Sequence, residues 1–281
     1  LINRQYFSGT GEAETSVRQR ITALWEAVEW SWFTNGQDVL LWHWSPNYGF
    51  QMNLQIKGWN ESLIVYVLAA ASPTCPIEKQ VYDAGWASNG GIKTNRSHYG
   101  INLPLGPSYG GPLFFSHYSF LGLDPRNLSD SYANYWEQNR SHTLIHYNYS
   151  IDNPKGFEGY GPNSWGFTAS DSYDGYAAHS PSNDLGVITP SAALSSFPYT
   201  PEESMQALRY FYEDLGNRLW GEYGFYDAFS EERNWFANGY LAIDQGAIIG
   251  MIENYRTGRL WELFMADEDV VQGLDKLGFQ Y

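Results

Sequence analysis

Two stretches of more than 30 residues, 88–125 and 152–189, lack any periodic apolar pattern, while the segments around them repeat at helical spacing. A chain built this way buries helical faces and leaves its longest connections irregular, and loops of that length are usually functional. Val17, Ile21, Leu24, Trp25, Val28 and Trp32 form a stripe that predicts an amphipathic helix. Asn60 can cap a helix over 62–71 that is apolar all round, hence buried, and that Pro73 and Pro76 end. Further helices are predicted over 77–87 and 129–149. Thr200, Pro201 and Glu203 give a capping box with proline at the first helical position, starting a helix that runs to Gly216. The last three helices are predicted over 244–255, stopping near Gly258, then 260–265 and 267–277. No sustained two-residue alternation appears. The expected fold is therefore all-α, a helical toroid, with residues 1–281 as one domain.

Composition narrows the partners. Hydrophobic residues make up 43% of the 281, enough for a core. No apolar run nears the ~20 residues of a membrane-spanning helix. Sixteen Lys and Arg against 31 Asp and Glu give a net charge of -15, which disfavours nucleic acid and anionic membrane surfaces. Twelve Trp, 22 Tyr and 15 Phe supply flat faces with polar edges, a surface that matches sugar rings, although an aromatic-rich core accounts for them equally well. The single cysteine, Cys75, excludes an intrachain disulfide framework and a zinc-cysteine cluster. Residues 1–7 (LINRQYF) have neither the basic nor the apolar region of a signal peptide and read as the last turn of a helix that begins earlier.

Metalloprotease, nucleophile-elbow and phosphate-loop motifs are absent, and no metal or cofactor is expected. His142 and His146 share a helix face, but two hydrogen-bonded or solvated histidines explain them better than a metal site. Carboxylates in uncharged, aromatic surroundings say more. Glu61 lies in Gly58-Trp59-Asn60-Glu61-Ser62, at the start of the most apolar helix. Partial desolvation there suits a general acid, whereas the helix dipole alone also favours a glutamate at that point. Asp171 and Asp174 fall in a polar, aromatic loop that could hold a sugar or merely form Asx-turns. Asp244 heads a helix, where capping is the ordinary role. Asp227 is enclosed by aromatics in Tyr223 to Phe229. Glu253 could be a pocket residue or the helical partner of Arg256. Acidic, aromatic-lined helical proteins with carboxylates at loop and helix ends fit a glycoside hydrolase, in which two carboxyl groups flank the scissile bond.

Longer strings add a resemblance. Tyr48-Gly49-Phe50, Gly58-Trp59-Asn60-Glu61, Ala71-Ser72-Pro73-Thr74, His117 to Arg126 (HYSFLGLDPR), Trp165 to Asp171 (WGFTASD), Ala193 to Tyr199 (ALSSFPY), Tyr223 to Phe229, Ile243 to Gly246 and Met251 to Arg256 (MIENYR) resemble the bacterial glucoamylase-like family, glycoside hydrolase family 144. The match runs nearly the whole chain in order. It implies an (α/α)6 toroid that cleaves β-1,2-glucan or sophoro-oligosaccharides with inversion. It also implies that Glu61, in the family's Gly-(Tyr/Trp)-Asn-Glu motif, is an essential acid, with Asp171 and Asp244 as further catalytic carboxylates. Trp42, His43, Trp44, Tyr48, Asn60, His117, Tyr118, Trp165, Tyr226 and Asp227 are then substrate-binding candidates, some of which must be core. Family members carry further N-terminal helices, one of them acidic, so the toroid of this chain is expected to be incomplete. A monomer exported to the periplasm or cell envelope follows from the family's habit. Two other readings stay open: a non-catalytic glucan-binding module, and an α-glucan glucoamylase.

Overall fold

The computed structural model describes residues 1–281. Its α-helices, in chain order, are α1 (Ile2–Tyr6), α2 (Glu12–Glu26), α3 (Leu63–Ala71), α4 (Lys79–Ala84), α5 (Tyr135–Asp152), α6 (Pro190–Leu194), α7 (Pro201–Arg209), α8 (Gly216–Leu219), α9 (Ala242–Thr257), α10 (Arg259–Met265) and α11 (Glu268–Leu277). The chain divides into two compact units, one of residues 1–93, 122–135 and 259–281, the other of residues 94–121 and 136–258.

In the first unit α3 packs on α11. Leu63, Tyr66 and Val67 of α3 and Val270, Leu274 and Leu277 of α11 are all buried. The two helices approach closely because Gly273 has no side chain: a Cβ there would stand 2.6 Å from the Val67 carbonyl oxygen and 2.7 Å from Ala71 Cβ. Asp267 caps α11 by accepting the Asp269 N–H, and the Arg4 guanidinium binds both carboxylates, which ties α1 to α11. The Tyr66 hydroxyl donates to the Ile56 carbonyl (2.7 Å) and accepts the Leu40 N–H (3.2 Å), anchoring both ends of the aromatic loop 40–56 to α3.

The second unit is built around Trp165, Phe167, Phe211, Phe225 and Phe229, with α6 and α9 in contact. On α5, His142 and His146 are buried, and the Nε2 of each lies 2.9 Å from the Gly111 carbonyl oxygen. Gly110, at φ +89°, lets that loop come down on His142, whose ring a Cβ at this position would strike. The pair is structural.

Several expectations need correction. The fold is helix-rich but not all-α: it contains four two-stranded sheets, β1–β2 (Lys93–His98, Ile101–Leu105), β3–β4 (Ala169–Ser172, Gly175–Ala178), β5–β6 (Trp220–Gly221, Gly224–Phe225) and β7–β8 (Phe229–Ser230, Trp235–Phe236). Most of these strands are too short, and β1 too uniformly exposed, to write an alternating pattern; β2 alternates, with Ile101, Leu103 and Leu105 on one face, but over only five residues. Helix α5 starts at Tyr135 rather than 129, because Asp130 Oδ1 accepts the N–H groups of Tyr132 and Ala133 in an Asx-type turn. Thr200 occupies the N-cap of α7 without capping, since its hydroxyl turns back to the Ser196 carbonyl. The helix expected to reach Gly216 relaxes into a π-helical turn over Tyr210–Asp214 before the short α8. The N-terminal stripe is not a core face. Of its residues on α2 only Trp25 is buried, and Leu24 is 73% exposed.

Candidate functional site

Three carboxyls far apart in sequence meet in the second unit. Asp171 lies on β3 opposite Tyr176 of β4, and the tight turn at Tyr173 and Asp174 joins the two strands. Asp227 sits between β6 and β7, where its N–H donates to the Gly239 carbonyl (3.1 Å). Asp244 occupies the first turn of α9. The Asp171 N–H donates to Asp227 Oδ2 (2.7 Å), and the Tyr118 hydroxyl donates to Asp244 Oδ1 (2.9 Å). Tyr118 is held by stacking on Phe114, with centroids 5.1 Å apart. The Asp227 and Asp244 carboxyls lie within hydrogen-bonding reach of each other.

Burial sets the electrostatics of this cluster. Asp227 and Asp244 are each only 2% exposed, whereas Asp171 is half-buried. Desolvation, with the negative charges of Asp244 and Asp171 nearby, pushes Asp227 from the ordinary aspartate value up to about 7. Burial also raises Asp244, against the lowering effect of its hydrogen bond from Tyr118. The same carboxylates, after burial itself, raise Tyr118 and Tyr176, so both phenols stay protonated as donors. Tyr176 is 64% exposed and faces this cluster. Nothing in the order of residues singles it out, because strand register alone sets it opposite Asp171.

Glu61 belongs to the first unit. It precedes Ser62, the N-cap of α3, and so lies just outside the helix rather than in its first turn. Asn60 holds this turn: its Oδ1 accepts the Ser62 N–H (2.8 Å) and its Nδ2 donates to the Lys57 carbonyl (3.3 Å). Trp59 is buried edge-on against Trp86. Glu61 and Asn60 line a pocket of about 190 Å³ together with Trp42, Leu54, Gln55, Ile56 and Ser62. Trp42, 58% exposed, has His43 stacked beside it at 5.9 Å. Trp44 and Tyr48 are exposed on the same loop, and Trp44 packs on Trp32.

Two substrate-binding expectations fail. Trp165 is fully buried in the core, with its indole N–H donating to the Glu203 carbonyl. His117 is buried against Ser196, and desolvation lowers its pKa to about 3, so it is a neutral core imidazole. Asp227 is as buried as Asp244, and its Oδ2 accepts the Asp171 N–H. Tyr226 stays partly exposed and packs on Tyr240 at 5.1 Å. Glu253 is the helical residue, 3.9 Å from Arg256 and accepting the Thr257 hydroxyl. No group of three or more His, Cys, Asp or Glu side chains is arranged to hold a metal ion, and no helix is long and apolar enough to cross a membrane.

Known proteins share this fold. A crystal structure from Bacteroides uniformis described as a "putative glucoamylase" is 60% identical, superimposes with a TM-score of 0.97, and is covered over 68% of its length by 99% of this chain. The endo-β-1,2-glucanase of Chitinophaga pinensis, solved with sophorotriose and glucose, is 56% identical with a TM-score of 0.97, over all of this chain and 68% of its own. The exo β-1,2-glucooligosaccharide sophorohydrolase (non-reducing end) of Parabacteroides distasonis is 44% identical over 99% of this chain. The chain spans 41% of the length of that curated relative. The sequence profile of the Glycoamylase family, described as "Putative glucoamylase", matches residues 53–268. The chain belongs to this glucoamylase-like family.

Proposed function

We propose that this chain carries catalytic groups of a glycoside hydrolase that cleaves β-1,2-glucan or sophoro-oligosaccharides with inversion. The observation that carries the reading is the junction of Asp171, Asp227 and Asp244 with Tyr118 and Tyr176, where carboxyls and phenols face one another. Such a cluster repels anionic ligands and accepts hydrogen bonds from sugar hydroxyls. Exposed Trp42, Trp44 and Tyr48 offer flat faces suited to the CH surfaces of sugar rings. The Chitinophaga pinensis and Parabacteroides distasonis relatives, both named for β-1,2-linked glucans, support this choice of linkage.

In an inverting reaction one carboxylic acid protonates the glycosidic oxygen as the bond to the anomeric carbon breaks. A carboxylate takes a proton from the water that attacks the opposite face, and the two groups stand roughly 6.5–9.5 Å apart. Glu61 is assigned to acid/base catalysis, with Asp171 and Asp244 as the carboxylates that bind sugar or assist water. Trp42, His43, Trp44, Tyr48, Asn60, Tyr118 and Tyr226 are assigned to sugar binding. The same reading makes the chain the C-terminal portion of an (α/α)6 toroid, a single domain over 1–281, monomeric and exported. Glu61→Gln tests it: hydrolysis of β-1,2-glucan is lost while circular dichroism and the unfolding midpoint are unchanged. Near wild-type turnover by this variant would overturn the role of Glu61.

A further inference from the structure

Within the acidic cluster two buried oxygens have no donor. Asp227 Oδ1 and Asp244 Oδ2 are both inaccessible and without a hydrogen-bond partner, although their carboxyls are in reach of each other. Two ionised carboxylates cannot satisfy one another, because each only accepts. A buried, unsatisfied charged oxygen costs more than a buried neutral one. One proton between them removes both deficits. The remaining oxygens are already engaged, Asp227 Oδ2 by the Asp171 N–H and Asp244 Oδ1 by the Tyr118 hydroxyl. The Ser191 hydroxyl also faces Asp244 and can donate to it, which still leaves Asp227 Oδ1 opposite a carboxylate.

We propose that Asp227 is a positioning residue: it holds Asp244 through a single proton shared between Asp227 Oδ1 and Asp244 Oδ2, while its other oxygen fixes the backbone of Asp171. Asp227 is thus a side chain bonded to both carboxylate-bearing segments of the site. The titratable groups facing the pair are Asp171 on β3, Tyr176 on β4 and Tyr118, with the His179 imidazole behind Asp171 against its backbone. Asp171 disfavours a second negative charge, and Tyr118 and Tyr176 are phenols raised above their usual range, so none of these supplies a cation in place of the proton. The elevation of Asp227 to about 7 agrees with retention of the proton into the neutral range. Above that range both carboxyls ionise and repel, and Asp244 loses its hold. The consequence for catalysis rests on the hydrolase reading above, whereas the shared proton itself does not.

The test has two independent parts. Carbon-13 NMR of the full chain, labelled at the aspartate side-chain carboxyls, is followed through a pH titration of the wild type, with Asp227→Asn and Asp244→Asn used to assign the pair. The expected result is one aspartate pair that takes up or loses a proton near neutrality, a step absent from Asp227→Asn. Ionisation of every aspartate below pH about 5, the usual carboxylate range, would overturn the proposal. In parallel, hydrolysis of β-1,2-glucan is measured against pH. The alkaline limb of kcat should move up by about one pH unit or more in Asp227→Asn, whose amide donates at any pH. Asp227→Ala should lose about 100-fold in kcat with KM unchanged, as expected for misplacement of a catalytic group. An unchanged alkaline limb in Asp227→Asn would refute the positioning role. If the chain hydrolyses nothing, the hydrolase reading fails by itself and the NMR titration still decides the shared proton.

Discussion

Gly273→Ala and Gly246→Ala make the same chemical change inside two helices and should act with opposite signs. Both glycines lie in helix interiors, Gly273 in α11 and Gly246 in α9. A Cβ at Gly246 meets nothing within 4 Å. A Cβ at Gly273 stands 2.6 Å from the Val67 carbonyl oxygen, 2.7 Å from Ala71 Cβ and 3.0 Å from Ala71 N. These neighbours are backbone atoms and a Cβ, with no rotamer to give way, so α11 must retreat from α3 toward ordinary contact. At either position alanine gains about 1 kcal/mol of helix propensity over glycine, part of it through the unfolded chain. At Gly273 overpacking of about 1–3 kcal/mol opposes that gain. The propensity gain cancels between the variants, so their difference isolates the cost of separating the helices, about 1–3 kcal/mol. Urea unfolding of both variants beside the wild type measures it: Gly246→Ala should be more stable than the wild type, and Gly273→Ala less stable than Gly246→Ala by that amount. Equal stabilisation by both substitutions would refute the close α3–α11 packing. Because Glu61 immediately precedes α3, Gly273→Ala should also weaken activity more than its modest loss of stability explains.

Arg4→Ala should destabilise the chain by about 2 kcal/mol in thermal unfolding, since it removes charged hydrogen bonds to Asp267, which is buried, and to Asp269. Trp165→Ala should cost about 3–5 kcal/mol, as for other buried aromatics, whereas exposed Trp42→Ala should leave stability unchanged and raise KM for β-1,2-glucan. Acid should destabilise the fold. His117 at about 3, His142 at about 4 and strongly lowered His146 stay neutral in the folded chain and take up protons on unfolding once the pH falls below their ordinary value of 6.5. Asp227 acts in the opposite direction, because its raised pKa contributes stability at low pH that is lost as the pH rises through about 7. The strongly lowered histidines outweigh Asp227, so near pH 5 unfolding should take up protons, read from the slope of stability against pH. His142→Gln should reduce that uptake by about one proton.

Helices with strong local punctuation were legible in the sequence. Helix α9 ends at Gly258, in the left-handed region at φ +70°, close to the predicted stop, and α3 lies within one residue of its predicted span. The errors arose where side chains compete with the backbone. Asp130 delays α5 by capturing two N–H groups, and the Thr200 hydroxyl bonds backward instead of capping. Candidate carboxylates were also legible one at a time, but their grouping was not. Asp171, Asp227 and Asp244 come from a hairpin, a loop and a helix, and only tertiary packing joins them. Trp165 and His117 show the reverse limit, since an aromatic in a family-like string reads the same whether it faces a sugar or the core.

A product time course of this chain on linear β-1,2-glucan, sophoro-oligosaccharides and starch in parallel tests whether it hydrolyses β-1,2-linkages. Short β-1,2-linked products, with starch untouched, are predicted. Glucose released from starch while β-1,2-glucan stays intact would contradict the assigned linkage, and binding of β-1,2-linked sugars without any product would contradict catalysis by this chain.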